Sequence, residues 1–275
     1  MELIVFDLDG TLLNSHSEIS DYTRETLQLL AHRNIAYTVA TGRTLHASRD
    51  VLEGHGFVLP HVYKNGVVIW HPEQEHFSHH NVLSKSETQL VVDAYTHFDV
   101  TPFVFTLVGN NDHVVYHTPT RNSAEEYVIN KYMIGRGLIA KPIEEISDDA
   151  VISNISAVGD PDKIRSITER VEKEPHLIAY SGQAMEAENL SWLDVHHSDA
   201  SKGGAITALK SLLGLERVIC FGDSDNDLSM FALADEAYAP ENAKAHVKAK
   251  ATATIGHNDN DGIARFLRER YALGE

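Results

Sequence analysis

The chain opens on an unbroken apolar run, Leu3 to Phe6, followed at once by Asp-Leu-Asp-Gly-Thr. A short run of this kind predicts a strand buried on both faces. Between residues 19 and 34 the pattern changes period. Ile19, Thr23, Leu27 and Leu30 recur on one helical face, and Ser20 or Asp21 stands where a cap is needed. IAYTVAT (35–41) reads as a second buried strand and RTLHASRDVLEGHG (43–56) as a helix closing at glycine. HVYKNGVVIW (61–70) reads as a strand pair joined at Asn65-Gly66, the dipeptide of a two-residue hairpin turn. Strands alternating with helices predict a parallel sheet covered on both faces.

From about Val82 the order becomes less regular. A helix (SKSETQLVVDAYTHF) precedes two strands (TPFVFTLV and HVVYHT) linked across GNND. An amphipathic helix near SAEEYVINKYM, the strand AVISNISAV and the helix DKIRSITERVEK follow, then the strands HLIAYS and LSWLDV. The strand-spaced aromatics Phe103, Phe105 and Tyr116 read as core. The alternation resumes at Ser201 with SKGGAITALKSLLG (helix), RVICFGD (strand), NDLSMFALA (helix) and AYA (strand). It closes with NAKAHVK (helix), ATATI (strand) and DGIARFLRER (helix). The fold class is therefore α/β: a core from residues 1–82 and 198–275, with an inserted α+β domain at 83–197.

Composition narrows the function. Asp and Glu outnumber Lys and Arg by 40 to 23 over 275 residues, a formal charge of −17. Such a field repels nucleic acid and anionic membranes, and admits a small anion only where a site gathers its own positive charge. One cysteine, Cys220, excludes an intrachain disulfide framework and reads as a buried small side chain. The absence of a basic-then-apolar leader and of a long apolar run predicts a cytoplasmic protein with no membrane partner. The 17 histidines lack metal-site spacing.

In an open parallel sheet, ligands bind beyond the carboxyl ends of the strands. Four segments place reactive groups there: DLDGT (7–11), ATGR (40–43), Ser201-Lys202 and GDSDND (222–227). Strand alternation would put Asp7 and Asp9 on one side, where two like charges call for a cation. One carboxylate of such a pair can act as nucleophile and another as general acid and base. Asp223, Asp225 and Asp227 add hard oxygen donors from a second strand end, a set that suits Mg²⁺. Neither acidic segment is a calcium loop, whose sixth residue is Gly; that position is Leu12 counted from Asp7 and Leu228 counted from Asp223. Lys202 can pair with both a nucleophile and a phosphate oxygen. Thr41 and the amides of Gly42 and Arg43 stand at the start of a helix, a natural anion site. Asp225 or Asn226 reads as the cap of the helix that follows.

Together and in this order, the four segments resemble the motifs of the haloacid dehalogenase-like phosphohydrolases. KNG (64–66), SKGGAI (201–206), GDSDNDLSM and PENA (240–243) are similar to its Cof-like subgroup. The resemblance implies a Rossmann-like core carrying a type-two α/β cap that selects the substrate. It implies that Asp7 is the nucleophile, forming an aspartyl phosphate, and Asp9 the general acid/base. Mg²⁺ would be held by Asp7, the backbone carbonyl of Asp9 and Asp223, with Asp227 supporting that set. Thr41, Gly42, Arg43, Lys202 and Asn226 would contact the phosphoryl group or substrate. The expected reaction is Mg²⁺-dependent hydrolysis of a small phosphorylated metabolite, such as a sugar phosphate or phosphorylated cofactor, by a monomer or homodimer. The alternatives are a phosphomutase using the same aspartyl phosphate and a non-catalytic phospho-aspartate sensor.

Overall fold

The computed structural model describes residues 2–79, 81–108, 112–184 and 189–274. Its first part runs β1 (Glu2–Phe6), α1 (Asp21–His32), β2 (Ala36–Val39), α2 (Leu45–Leu52), β3 (His61–Tyr63), β4 (Val68–His71) and β5 (His76–His79). Then come α3 (Lys85–His97), β6 (Phe103–Val108), β7 (Asp112–His117), α4 (Ser123–Tyr127), β8 (Ile139–Pro142), β9 (Val151–Gly159), α5 (Pro161–Val171), β10 (Leu177–Gln183) and β11 (Ser191–His197). The last part is α6 (Lys202–Leu212), β12 (Arg217–Phe221), α7 (Leu228–Phe231), β13 (Glu236–Pro240), α8 (Ala245–Lys248), β14 (Ala253–Ile255) and α9 (Gly262–Tyr271). The chain forms two compact units, one of residues 1–78 and 201–275 and one of residues 79–200. Among the described residues no helix is long and apolar enough to cross a membrane.

The first unit is built on a five-stranded sheet in the order β14-β13-β12-β1-β2, parallel throughout. Its central strand β1 is apolar on both sides because both sides are covered. Ile4 and Phe6 pack with Leu27 and Leu30 of α1 and Ile263 and Leu267 of α9. Leu3 and Val5 pack with Ala205, Ile206 and Leu209 of α6, Met230 of α7 and Val247 of α8. Cys220, on the neighbouring β12, is fully buried, and that burial pushes its thiol pKa up. Ser20 caps α1 by accepting from the Thr23 amide at 3.0 Å.

The second unit carries a mixed six-stranded sheet, order β10-β11-β9-β6-β7-β8, antiparallel except where β7 meets β8. One face packs on α3 and α5 through Val91, Tyr95, Ile164 and Ile167. Phe103, Phe105 and Tyr116 are buried, as their spacing predicts. The turn expected at GNND falls largely at 109–111, outside the described residues.

Several elements differ from the sequence pattern. The helices expected at 226–234 and 242–248 shorten to α7 and α8, each preceded by irregular turns. The helix expected at 123–133 ends at Tyr127 and widens into a broader turn over Val128–Met133. β5 and β8 gave no sequence signal, being short and rich in His, Lys and Pro. The hairpin between β3 and β4 is not a two-residue turn: Tyr63 pairs with Val68, leaving four residues between. The amides of Lys64 and Asn65 donate to Arg43 O and Thr41 O, both at 3.1 Å, so tertiary hydrogen bonds set the turn's shape.

β3 also ends an aromatic chain in which Tyr37, Phe57, His61 and Tyr63 meet edge to face in succession. His61 is buried, with Nε2 3.1 Å from Phe57 O and Nδ1 3.0 Å from the Tyr63 hydroxyl. A carbonyl only accepts, so Nε2 carries the proton and Nδ1 accepts from Tyr63. Burial lowers the His61 pKa to about 4 from 6.5, against a smaller opposite effect of the Phe57 carbonyl. Between those two values the unfolded chain binds a proton that the folded chain refuses. Stability therefore falls as pH drops through that window, with this residue adding at most about 1.4 kcal/mol per pH unit. Urea unfolding across the window is expected to show a shallower fall in His61→Phe than in the parent, whatever the variant's offset. Equal slopes would exclude the assignment.

Candidate active site

Strand register places the first acid. Leu3 and Val5 face α6, and Asp7 continues the same side; its amide still pairs in parallel fashion with Phe221 O of β12 at 2.9 Å. Waiting there is Lys202, the first residue of α6. Its Nζ donates to Asp7 Oδ1 and to Asp227 Oδ1, both at 2.6 Å. Lys202 and Asp227 have no exposure at all, and Asp7 has 5 %. A cation at a helix N-terminus opposes the helix dipole, so these two carboxylates must outweigh both the dipole and desolvation. They do: burial disfavours the ammonium, yet Asp227 and Asp7 together hold the Lys202 pKa above its usual range.

Asp227 is fixed from both ends. Its second oxygen accepts from the amides of Asp223 and Ser224 at 2.9 Å each. Asp223 in turn accepts from the Thr11 hydroxyl and the Ser224 hydroxyl, again at 2.9 Å. Each of Asp7, Asp223 and Asp227 offers an oxygen within 4.8 Å of the others. Three carboxylates against one ammonium leave two negative charges uncompensated. Burial, then Asp227, pushes the Asp7 pKa well up, and Lys202 only partly offsets this. Burial and Asp227 raise Asp223 as well. An all-oxygen set with an excess of two negative charges fits a hard divalent cation such as Mg²⁺.

Asp9 does not share this space, contrary to the alternation argument. The strand ends at Phe6 and the chain turns over Leu8–Thr11, with Asp9 at φ −71°, ψ 125° and Gly10 at φ +73°, ψ 0°. That is a type II turn, whose third residue needs positive φ. Gly10 is required twice over, because a Cβ there would come within 2.8 Å of Asp223 Oδ2. The turn carries the Asp9 side chain outward, where it is 56 % exposed, to a bidentate pair with Arg43 (Nε–Oδ2 2.7 Å, Nη2–Oδ1 2.5 Å). The like charges around Asp7 are thus Asp223 and Asp227, and the two acids of the first segment answer to different cations.

The second segment also shifts. α2 is capped by Thr44, which accepts from Ala47 N at 3.1 Å, so Thr41–Arg43 precede the helix and do not form its first turn. The buried Thr41 uses its hydroxyl to accept from Arg43 N at 3.1 Å. Asn226 donates to Asn65 Oδ1 at 2.9 Å. Asp225 caps nothing; it pairs with Lys244 and His246, while Ser224 and Asp227 close the turn. Sequence reasoning met Asn65 and Asn242 only inside the KNG and PENA stretches and gave neither a contact; Asn242 donates to Gly10 O at 2.7 Å and steadies the first turn. Asparagines that act through one amide bond over 161 or 232 residues leave no local pattern.

Asp7, Thr41, Lys202 and the Asp223–Asp227 turn therefore converge within one unit, at the carboxyl ends of β1, β2 and β12. A family profile described as haloacid dehalogenase-like hydrolase matches residues 4–267. The chain belongs to the haloacid dehalogenase-like hydrolases. A 5-amino-6-(5-phospho-D-ribitylamino)uracil phosphatase of Bacillus subtilis (strain 168) is 28% identical over 277 residues, covering 98% of each chain. A haloacid dehalogenase-like hydrolase from Bacteroides thetaiotaomicron shares the fold with a TM-score of 0.78 at 24% identity, over 98% of this chain and 99% of that one. A sugar phosphatase of subclass IIB of this superfamily does so with a TM-score of 0.76 at 20% identity over both full chains.

In this haloacid dehalogenase-like hydrolase Asp223 is one of three carboxylates that could hold a cation, and the absence of a side chain at Gly10 leaves room for its Oδ2. Gly10→Ala is expected to weaken Mg²⁺ binding about tenfold or more, since it forces a contact onto a donor oxygen. Its φ cost alone is about 1–2 kcal/mol. Exposed Gly54, at φ +78° with open space around its Cβ position, is the control. Gly54→Ala should lose similar stability and keep Mg²⁺ affinity. Equal metal affinity in both variants, read by calorimetry, would refute the role given to Gly10.

Proposed function

We propose that this chain is a Mg²⁺-dependent, cytoplasmic phosphatase that hydrolyses a small phosphorylated metabolite through an aspartyl phosphate on Asp7. The observation that carries the reading is the pair Asp7 and Asp227, buried on Lys202, with half-buried Asp223 beside them, two negative charges in excess. A phosphate monoester is a dianion, and carboxylate attack on it needs positive charge that this cluster is built to gather. When bound, Mg²⁺ would supply that charge, held by Asp7, the Asp9 carbonyl and Asp223 with Asp227 behind them.

The chain's own groups then divide the work. Asp7 Oδ attacks phosphorus as the ester oxygen departs, and Asp9, released when the Arg43 guanidinium turns to the phosphate, gives that oxygen a proton. Asp9 next takes a proton from water, which attacks the aspartyl phosphate; inorganic phosphate leaves and Asp7 is restored. Lys202 fixes the attacking carboxylate and neutralises part of the phosphoryl charge. Thr41, Gly42, Arg43 and Asn226 hold the remaining phosphate oxygens. Residues 83–197 form the cap that chooses the leaving group. The ribityl phosphate named for the Bacillus subtilis relative and the sugar phosphate named for the subclass IIB structure share a phosphate ester on a polyhydroxylated chain. That is the substrate class we favour.

Asp7→Asn keeps shape and removes the nucleophilic charge. Its turnover of a generic aryl phosphate in Mg²⁺ is expected to fall on the order of 10⁶-fold, the loss seen when a serine protease is deprived of its nucleophile. Retained Mg²⁺-dependent hydrolysis by that variant would sink the assignment.

A further inference from the structure

The turn Lys64–Gly66 is not among the catalytic segments, yet it touches three of the four. All three of its residues have positive φ: Lys64 at 49°, Asn65 at 54° and Gly66 at 101°. Two consecutive non-glycine residues in the left-handed region persist only where their surroundings impose them. A two-residue hairpin would join β3 to β4 without involving Lys64. The longer, strained loop has to be explained by what it holds.

What it holds is the phosphate side of the site. The Lys64 and Asn65 amides donate to Arg43 O and Thr41 O, binding the turn to the second segment. A Cβ on Gly66 would fall 2.1 Å from Ser201 O, so the turn is seated directly against the N-cap that precedes Lys202. The side chain of Asn65, 5 % exposed, reaches the fourth segment: its Oδ1 accepts from Asn226 Nδ2 at 2.9 Å. The same oxygen lies 3.2 Å from where a Cβ on Gly42 would stand.

We infer that Asn65 is a positioning residue for phosphoryl binding. It orients the Asn226 amide and fixes the gap between Asn226 and the Thr41–Arg43 loop, while the strained turn keeps that distance constant. The inference rests on the phosphatase reading of the site and adds a residue that reading does not contain. Since misplacement of a binding group by about 1 Å can cost up to a hundredfold in rate, the oriented amide has catalytic consequence.

Asn65→Gly separates this role from that of a turn former. Glycine takes positive φ without steric strain, so a residue needed only for the turn can be replaced by it at a small entropic cost. The expected variant melts no more than about 10 °C below the parent, the loss of one hydrogen bond and of some chain stiffness. Its kcat/KM for an aryl phosphate drops about tenfold or more, and its affinity for inorganic phosphate in Mg²⁺, measured by calorimetry, drops alongside. In an Asn226→Ala background the same change should have less than about a twofold further effect, because the group it orients is gone. Unchanged rate and phosphate affinity in Asn65→Gly would overturn the inference. So would a large loss of melting temperature, or full additivity with Asn226→Ala. If the parent protein hydrolyses no phosphate ester, the phosphatase reading fails separately, and phosphate affinity across the four proteins decides the role of Asn65.

Discussion

A lysine ammonium with no access to solvent, bonded to two carboxylates, is the constraint on which the first unit depends. Lys202 cannot be buried unless Asp7 and Asp227 are both present, and neither acid can be buried without it. Removing one member of such a set strands a charge in the interior, at about 3–5 kcal/mol. The sheet order follows from this need. β12 must lie beside β1 for the turn after β12 to bring Asp227 to the lysine that Asp7 already faces. α6 must pack on the Leu3–Val5 side for its first residue to reach either. The stability of the core and the charge of the site are set by one arrangement.

The unit then separates two acids that stand two positions apart. Asp7, the first residue past β1 and still paired with β12 through its amide, stays dry among like charges and one ammonium. Asp9, carried around the type II turn, is half exposed and clasped by a guanidinium. Two carboxylates given such different solvation and different partners are suited to different chemical tasks. One glycine accomplishes the separation, because only it can both turn the chain and leave room for Asp223.

Much of this was legible in the sequence, and the reason is physical. Strands covered on both faces must be apolar throughout, so β1, β2 and β12 announce themselves, as do the helices α1, α3, α5, α6 and α9 with wide apolar faces. Acids placed directly after such strands have few bland explanations, which is why Asp7 and Asp223 could be singled out, and Lys202 only jointly with them. The Lys202–Asp7 pair, 195 residues apart, was legible from complementary charge, but neutral contacts over such distances were not. The Asn65–Asn226 and Asn242–Gly10 bonds follow from where the loops land in space, not from any local pattern. The stretch at 226–234 carries helical spacing, but the Ser224–Asp227 hydrogen bonds that serve the site take its first turn and leave only a short helix. Asp9 was misplaced because alternation was extended three residues past the end of the strand, into the turn.

Cys220 lies on β12, one residue from Phe221 and three from Asp223, wholly buried, with its thiol made less acidic by that burial. A thiol in that condition is inert to thiolate-selective reagents while the sheet is closed. It becomes reactive only when the central strands part. Because the chain holds no other cysteine, alkylation of the native protein is a clock for the opening of the one strand that joins the core to the acidic turn, and it needs no engineered label.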